Sequence, residues 1–339
     1  MAELCAGLRS AGHEVVVYTR RDDSTSPDLV RGHDGFEVVH VPAGPPRALT
    51  EDELVTHLGD FAEFVRRRWY TQAPDVVHAH HWTSGLVSLI SAYRLRIPVV
   101  QSFHGFSEPD TRQRTEAEFL ITREAAWFLA TSTEEAEALC RLGIRRARVS
   151  VVPSGVDVSR FTPEGPVEFH DGRMRVVMAG EPACDTGAAA VGAVLSTVDH
   201  VELVSTDGVS RTGRPAVLRS AEVAVCAPST ERYGIAALEA MACGVPVVAT
   251  AVGALKDVVL PGVTGQLVEP EDGRRLARVL KALLSDETQR EQFGVAARDR
   301  VLSRYSRRRL AREALSAYQR ALAVREAAVP PKSGRGTRA

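Results

Sequence analysis

The chain has 339 residues, of which 44% are hydrophobic and 25% are charged, and its net charge is −1. This length exceeds what one hydrophobic core usually supports, so two domains of ordinary globular composition are expected. Because the net charge is close to zero, no bulk field attracts nucleic acid or an anionic membrane.

Strand-like and helix-like segments alternate through the first half of the chain. Short β-branched runs occupy 13–19, 36–41, 75–80, 98–103, 127–130 and 149–152, and helical patterns occupy 52–68, 84–93, 115–124 and 133–142. Such alternation predicts a parallel sheet covered by helices. The chain begins with an amphipathic helix over residues 1–12, whereas a Rossmann-like domain would first have a strand and a Gly-rich turn. Either the first sheet lacks its usual first strand or the sequence starts inside the gene.

A second alternating series follows a stretch rich in Pro and Gly. Its predicted strands are 174–179, 200–204, 222–226 and 245–249. The expected organisation is a first domain over 1–161, a linker over 162–173, a second domain over 174–305, a helix over 306–328 that packs back towards the first domain, and a disordered tail over 329–339.

Cysteine usage and targeting signals bear on the compartment. The five cysteines are scattered without CxxC or zinc-ligand spacing, which favours thiols in a reducing compartment. No apolar run approaches the ~18 residues that span a bilayer, and no basic-then-apolar signal peptide opens the chain. A cytoplasmic protein is therefore expected.

Two glutamates flank the start of a predicted helix in the second domain. Glu231 lies in the loop after the strand 222–226, and Glu239 lies about one turn into the helix 235–243. Gly234 lets the backbone amides at the helix start approach a ligand, and the helix N-terminus favours phosphate. One carboxylate could hold hexose hydroxyls and the other ribose hydroxyls, with a diphosphate between them. For two glutamates alone, a solvated acid and a buried ion-pair partner are the commoner interpretation.

The whole string from Pro228 to Thr250 resembles the signature of the family 4 retaining glycosyltransferases, in which seven residues separate the two glutamates. Similar segments cover most of the chain, and Pro42–Pro45 is like actinobacterial members that resemble the inositol-phosphate-using transferases of mycothiol synthesis. The resemblance implies a GT-B fold, with two Rossmann-like, doubly wound parallel-sheet domains facing a cleft. It assigns Glu231 to the donor sugar, Glu239 to the ribose, and the backbone of Gly234, Ile235 and Ala236 to phosphate.

Histidines follow two predicted strands of the first domain. His104 follows the strand 98–103, and a side chain at that end of a parallel strand points into the crevice where such sheets bind ligands. A histidine bonded to a backbone carbonyl is the commoner interpretation in isolation. In the resembling family the corresponding residue contacts the donor sugar near the reacting carbon, so His104 and Glu231 are the expected catalytic residues.

His78, His80 and His81 lie close together in the sequence. His78 and His80 share one face of a strand and His81 takes the other, which suits a three-ligand metal site poorly. No metal is expected there, and His81 is expected to bind substrate as part of the cleft wall.

The sequence departs from the resembling family at the diphosphate. That family carries an Arg and a Lys after the first strand of the second domain, and their cations neutralise the leaving group. Here Glu181 stands in place of the Arg and no Lys follows, so Glu181 and Asp185 would repel a diphosphate. An inositol-phosphate user would also carry a Lys near 49–53, where this chain is acidic, which disfavours a phosphorylated acceptor.

The leading hypothesis is a retaining transferase that moves a hexose from a nucleotide-diphosphate sugar to a hydroxyl acceptor, such as a sugar, cyclitol, lipid or small molecule, without metal or cofactor. The first alternative is a degenerate, non-catalytic paralogue that binds a nucleotide sugar or a partner protein, and the second is another GT-B enzyme such as an epimerase. The arginine clusters 66–68, 145–148 and 307–309 are expected to be solvated, with peripheral membrane contact a weaker alternative.

Overall fold

The computed structural model describes residues 1–32, 34–105, 112–169, 171–180 and 185–328. The predicted tail 329–339 and Glu181 lie outside the described residues, as does the side chain of Asp185. The chain divides into two compact units. We call them the N-terminal unit, with residues 13–130, 136–150 and 313 onwards, and the C-terminal unit, with residues 1–12, 131–135 and 151–312.

The N-terminal unit contains two small sheets. One has three strands in the order β1-β3-β2, namely β1 (Val16–Arg20), β2 (Leu29–Arg31) and β3 (Glu37–Val41). The other has four strands in the order β4-β5-β6-β7, namely β4 (Val77–His80), β5 (Val99–Ser102), β6 (Trp127–Ala130) and β7 (Val149–Val151). Among the described residues, no strand pairs with both β1 and β4.

Helices cover the second of these sheets, whose two central strands are buried on both faces. Strands β5 and β6 are buried along their full lengths, as expected of parallel strands in the middle of a layered fold. The helices of this part of the chain are α2 (Glu51–Val55), α3 (Leu58–Thr71), α4 (His81–Ala92), α5 (Arg112–Glu124) and α6 (Thr133–Arg141), and the later residues of α13 (Arg307–Ala328) also belong to the N-terminal unit.

The C-terminal unit is built on one five-stranded parallel sheet in the order β12-β11-β10-β8-β9. Its strands are β8 (Met174–Met178), β9 (Val201–Ser205), β10 (Val223–Cys226), β11 (Val247–Thr250) and β12 (Gly265–Val268). Its helices are α1 (Ala2–Ser10), α7 (Asp185–Leu195), α8 (Arg214–Arg219), α9 (Ile235–Ala242), α10 (Leu255–Val258), α11 (Gly273–Ser285) and α12 (Glu287–Arg304).

Alternate residues of these strands enter two cores on opposite faces of the sheet. Val177, Ala224 and Val247 pack with the apolar side of α9, whereas Val176 and Val223 pack with α7 and α11. The strand order reverses at β8, since β9 lies on one side of it and β10 on the other. The carboxyl ends of β8 and β10 therefore form the switch point at which sheets of this kind bind ligands.

Candidate functional site

The loop between β10 and α9 places Glu231 over the start of the helix. Glu231 Oε1 accepts hydrogen bonds from the backbone N–H groups of Tyr233 and Gly234, at 2.8 and 3.0 Å. Gly234 precedes α9 with φ 66°, a conformation that few residues other than glycine adopt. The carboxylate is thus fixed beside the first amides of α9, which have no acceptor within the helix.

A neighbouring turn supports the same loop. The N–H of Ala254 donates to the Glu231 carbonyl oxygen at 3.1 Å. Gly253 has φ 47°, and a Cβ added to it would overlap that carbonyl oxygen. The tight approach of the two segments therefore requires glycine at position 253.

The end of β8 also reaches the start of α9. A Cβ added to Gly180 would lie 2.8 Å from the Cβ of Ala236, and the Gly180 N–H donates to Thr206 Oγ1 at 3.2 Å. The backbone at the end of β8 thus meets α9 at the switch point, and Thr206, which follows β9, bonds to that backbone. Glu181, which follows Gly180 in the chain, is outside the described residues.

Glu239 lies one turn further along α9 and is buried. Its Oε2 is 3.6 Å from Nη1 of Arg214, the first residue of α8. Burial raises the pKa of the Glu239 carboxyl, and the charges of Arg214 and Arg211 oppose that rise while Glu3 adds to it. The C-terminal unit therefore brings together the residues that we call the α9 site: Glu231, Gly234, Ile235, Ala236 and Glu239.

The sequence did not predict Arg211 and Arg214 as residues of the site, because they precede Pro215 in a stretch that shows neither a strand pattern nor a helix pattern. The sequence also did not predict that the segment after β6 supports the site. Thr131 Oγ1 donates to the Arg232 carbonyl oxygen at 2.9 Å, and the Thr133 N–H donates to Asp257 Oδ2 at 2.6 Å. These residues all belong to the C-terminal unit, so the segment 131–135 helps to hold the Glu231 loop.

His104 and His81 belong to the N-terminal unit, where they form a cluster with His80. His80 Nδ1 and His104 Nε2 are 2.6 Å apart, and their rings stack with centroids 4.9 Å apart and planes within 9°. His81 packs edge-on against His104 with centroids 5.1 Å apart. His81 and His104 have φ of 65° and 61°, so both end-of-strand turns adopt the left-handed conformation. The sequence did not predict His80 as part of this cluster, although His80 ends β4 just as His104 follows β5.

His78 occupies the strand position behind this cluster. Its Nε2 lies 2.9 Å from Ser102 Oγ, which donates to the Leu129 carbonyl oxygen, so Nε2 is the donor. Its Nδ1 accordingly accepts from the Tyr318 hydroxyl at 2.8 Å. Burial, followed by the charge of His104, lowers the pKa of His78 to about 3. Burial also holds the pKa of His80 well below its ordinary value, so both imidazoles are neutral at pH 7.

Within the described residues, no group of three or more His, Cys, Asp or Glu side chains is arranged to hold a metal ion. In the same part of the chain, no helix combines the length and the apolar character needed to cross a bilayer.

Comparison with known proteins decides the family. Residues 1–160 match the family model described as Glycosyltransferase Family 4, and residues 199–300 match the one described as Glycosyl transferases group 1. The D-inositol 3-phosphate glycosyltransferase of Xylanimonas cellulosilytica is 31% identical over an alignment that covers 87% of this chain and 85% of that protein. The chain belongs to the family 4 glycosyltransferases. The corresponding enzyme of Kribbella flavida is 32% identical to this glycosyltransferase, over 88% of the chain and 84% of the enzyme.

Solved structures share the fold of this glycosyltransferase. The sucrose-phosphate synthase of Thermosynechococcus elongatus matches it with a TM-score of 0.79 at 23% identity, over 95% of this chain and 92% of that one. HepE of Anabaena, in complex with UDP and glucose, matches with a TM-score of 0.71 at 16% identity, over 94% and 95%. The predicted GT-B fold, with its two Rossmann-like parts, is confirmed.

Proposed function

We propose that this glycosyltransferase moves a hexose from a nucleotide-diphosphate sugar to a hydroxyl acceptor with retained configuration. The observation that carries the proposal is the α9 site, where two carboxylates flank the N-terminus of one helix at the switch point of a parallel sheet. Amides at the start of α9 bind the diphosphate. Glu231 holds the hexose, and Glu239 accepts hydrogen bonds from the ribose hydroxyls.

The reaction requires no side-chain nucleophile. The bond from the anomeric carbon to the diphosphate oxygen breaks as the acceptor oxygen bonds to that carbon on the same face, and the acceptor proton passes to the departing phosphate oxygen. Catalysis then rests on positioning and on stabilising the leaving charge. His104 and His81 contact the sugar in this proposal, and neither a metal ion nor a cofactor takes part. Chelators are accordingly expected to leave turnover unchanged.

An uncharged acceptor is favoured over a phosphorylated one. The segment after Pro42 does carry a cation, Arg47, but its guanidinium bonds to both carboxylate oxygens of Glu53, at 2.7 and 3.2 Å. Glu51 accepts a hydrogen bond from Trp82 Nε1 at 2.6 Å, so a second carboxylate lies in the same region. Paired in this way, Arg47 offers little charge to a phosphate. The D-inositol 3-phosphate in the names of the relatives is therefore not the acceptor that we propose.

We place the reaction in the cytoplasm. Cys5, Cys140, Cys226 and Cys243 are free thiols, as expected in a reducing compartment.

The test combines nucleotide binding with turnover. We expect isothermal titration to detect binding of one of UDP, GDP or ADP, and a coupled assay to detect transfer or slow hydrolysis of the matching hexose donor. In Glu231→Gln the amide oxygen still accepts the loop hydrogen bonds, but turnover is expected to fall about 100-fold or more while affinity for the free diphosphate changes little.

The matched control is Glu271→Gln, which removes an exposed carboxylate of the same unit. Its turnover and affinity should equal those of the unmodified chain. Binding without turnover of any donor would favour the non-catalytic paralogue, and failure to bind all three diphosphates would refute the donor site.

A further inference from the structure

The α9 site contains a pairing that its proposed role does not explain. The Glu239 side chain is only 6% exposed, whereas that of Arg214, whose Nη1 lies 3.6 Å from the carboxylate, is 38% exposed. This separation is too long for a good hydrogen bond, so the attraction between the two groups is mainly one of charge. A ligand hydroxyl could therefore bond to the carboxylate while Arg214 stays in place.

Arg211 and Arg214 have different partners. Arg211 forms an ion pair with Glu3 of α1, and Glu3 also pairs with Arg307. The Nε of Arg214 donates to the Val209 carbonyl oxygen at 3.4 Å, which turns the end of its guanidinium towards Glu239. Arg214 is thus the cation in contact with Glu239, while Glu3 offsets much of the charge of Arg211.

Glu239 binds two ribose hydroxyls best as an anion. An ionised carboxylate accepts hydrogen bonds from two hydroxyls, whereas the protonated acid has a donor of its own to satisfy. Burial favours the protonated form. The charged groups that act on Glu239 are Glu3 of α1, Arg214 of α8 and Arg211 of the loop before α8. Glu239 in turn helps to raise the pKa values of two neighbouring thiols, Cys226 at the end of β10 and Cys243 after α9.

We propose that Arg214 is a positioning residue of the donor site, which keeps the Glu239 carboxylate anionic and oriented towards the ribose hydroxyls of the nucleotide. The inference rests on the proposed function, since it assumes that Glu239 binds ribose. Arg214 acts through Glu239, so its loss should weaken the binding of a nucleoside as much as that of its diphosphate.

The experiment compares UDP and uridine, or the corresponding pair for whichever diphosphate binds, by isothermal titration and NMR titration. Near pH 7, Arg214→Gln is expected to weaken both ligands by a similar factor of about ten, and the loss should shrink as the pH rises and Glu239 ionises. Arg214→Lys should restore most of the affinity because it keeps the charge. The control Arg274→Gln, an exposed arginine of α11, should bind like the unmodified chain.

A double-mutant cycle separates this role from general damage. If Arg214 acts through Glu239, then adding Arg214→Gln to Glu239→Gln should cause no further loss of affinity. The proposal is overturned if Arg214→Gln binds normally at every pH, if the losses add in the double variant, or if UDP alone is weakened, which would mean direct contact with phosphate. Absence of nucleotide binding by the unmodified chain would instead refute the proposed function, and this inference with it.

Discussion

His78 links protonation to stability through its buried, neutral imidazole. In the folded chain its pKa is about 3, against an ordinary value of 6.5. Below that ordinary value the unfolded chain binds a proton that the folded chain does not. The contribution of the neutral His78 imidazole to the free energy of unfolding is therefore complete above about pH 6.5. It is lost at about 1.4 kcal/mol per pH unit as the pH falls towards the pKa of the folded chain.

Replacing His78 should remove its share of this dependence. We expect His78→Gln to lower the free energy of unfolding at about pH 7.5, because the bonds to Ser102 and Tyr318 are disturbed. We also expect it to make the decline between about pH 6.5 and pH 5 shallower by up to about 1.4 kcal/mol per pH unit. Urea unfolding over this range measures both effects. His200→Asn, at an exposed position, is the control, and equal slopes in His78→Gln and the unmodified chain would contradict the expectation.

Some residues of the site could be predicted from the sequence and others could not, and the difference has a physical reason. Glu231, Gly234 and Glu239 lie in one string after a buried strand, so local geometry alone brings them to one helix end. Arg214 reaches Glu239 only through the packing of α8 beside α9, which no local pattern encodes. His80 was open to prediction, since β4 and β5 are adjacent and parallel and end at one edge.

Arg307 corrects a prediction made from sequence. Its cluster, 307–309, was expected to be solvated, yet the Arg307 guanidinium pairs with Glu3 at 2.6 Å and with Asp157 at 2.9 Å. Charge runs are usually solvated, and the partners here lie some 300 and 150 positions away in the sequence. Pairing at such separations is decided by the tertiary fold.

Among the elements, α9 depends on the residue that begins it. Gly234 has φ 66°, and a Cβ there would lie 3.0 Å from Val258 Cγ2. A side chain adds backbone strain of about 1–2 kcal/mol in this conformation, and relief of the contact with Val258 would displace the helix start. The binding amides and the Glu231 loop share this backbone, so stability and nucleotide affinity are expected to fall together.

Gly234→Ala is therefore expected to destabilise the protein by about 1–2 kcal/mol and to weaken diphosphate binding. Gly192→Ala is the matched control: Gly192 lies within α7, and a Cβ there has no neighbour within 4 Å. That substitution should stabilise by about 0.5–1 kcal/mol and leave binding unchanged. Urea unfolding and isothermal titration provide the two readouts, and normal affinity in Gly234→Ala would show that the helix start tolerates displacement.

The sequence predicted the bounds of helices and strands well where those bounds depend on neighbouring residues alone. The helix predicted over 235–243 is α9, Ile235–Ala242. The helix predicted over 52–68 is instead two helices, α2 and α3. Thr50 and Glu53 form a capping box that starts α2, and α2 ends at Val55 before α3 begins at Leu58. The hairpin partner β2 was missed since it is only three exposed residues long, too short for a periodic signal.

At the scale of the whole molecule, segments that are far apart in the sequence stabilise the same unit. Residues 1–12 group with the C-terminal unit, although they precede the sheets of the N-terminal unit in sequence. Glu3 of α1 bonds to Arg211 and Arg307, and Arg307 bonds to Asp157. A Cβ on Gly7 would lie 2.9 Å from the Arg307 carbonyl oxygen, so α1 packs closely on the start of α13.

This network should therefore stabilise the C-terminal unit specifically. The side chains of Glu3 and Arg307 are 15% and 27% exposed, so their coupling should lie between that of surface and buried pairs, at about 1–2 kcal/mol in a Glu3→Gln and Arg307→Gln cycle. The exposed pair Glu63 and Arg67 on α3 is the control, and its coupling is expected to be smaller because both side chains face solvent. Urea unfolding followed by far-ultraviolet circular dichroism measures both cycles.

Tryptophan fluorescence adds a readout for one unit alone. The three tryptophans, Trp69, Trp82 and Trp127, all lie in the N-terminal unit. Loss of the Glu3 bonds should shift the circular dichroism transition to lower urea and move the fluorescence transition less, because the broken contacts belong to the C-terminal unit. Equal shifts in both signals would mean that the two units unfold as one cooperative body, and that α1 stabilises the whole chain rather than the unit that it packs against.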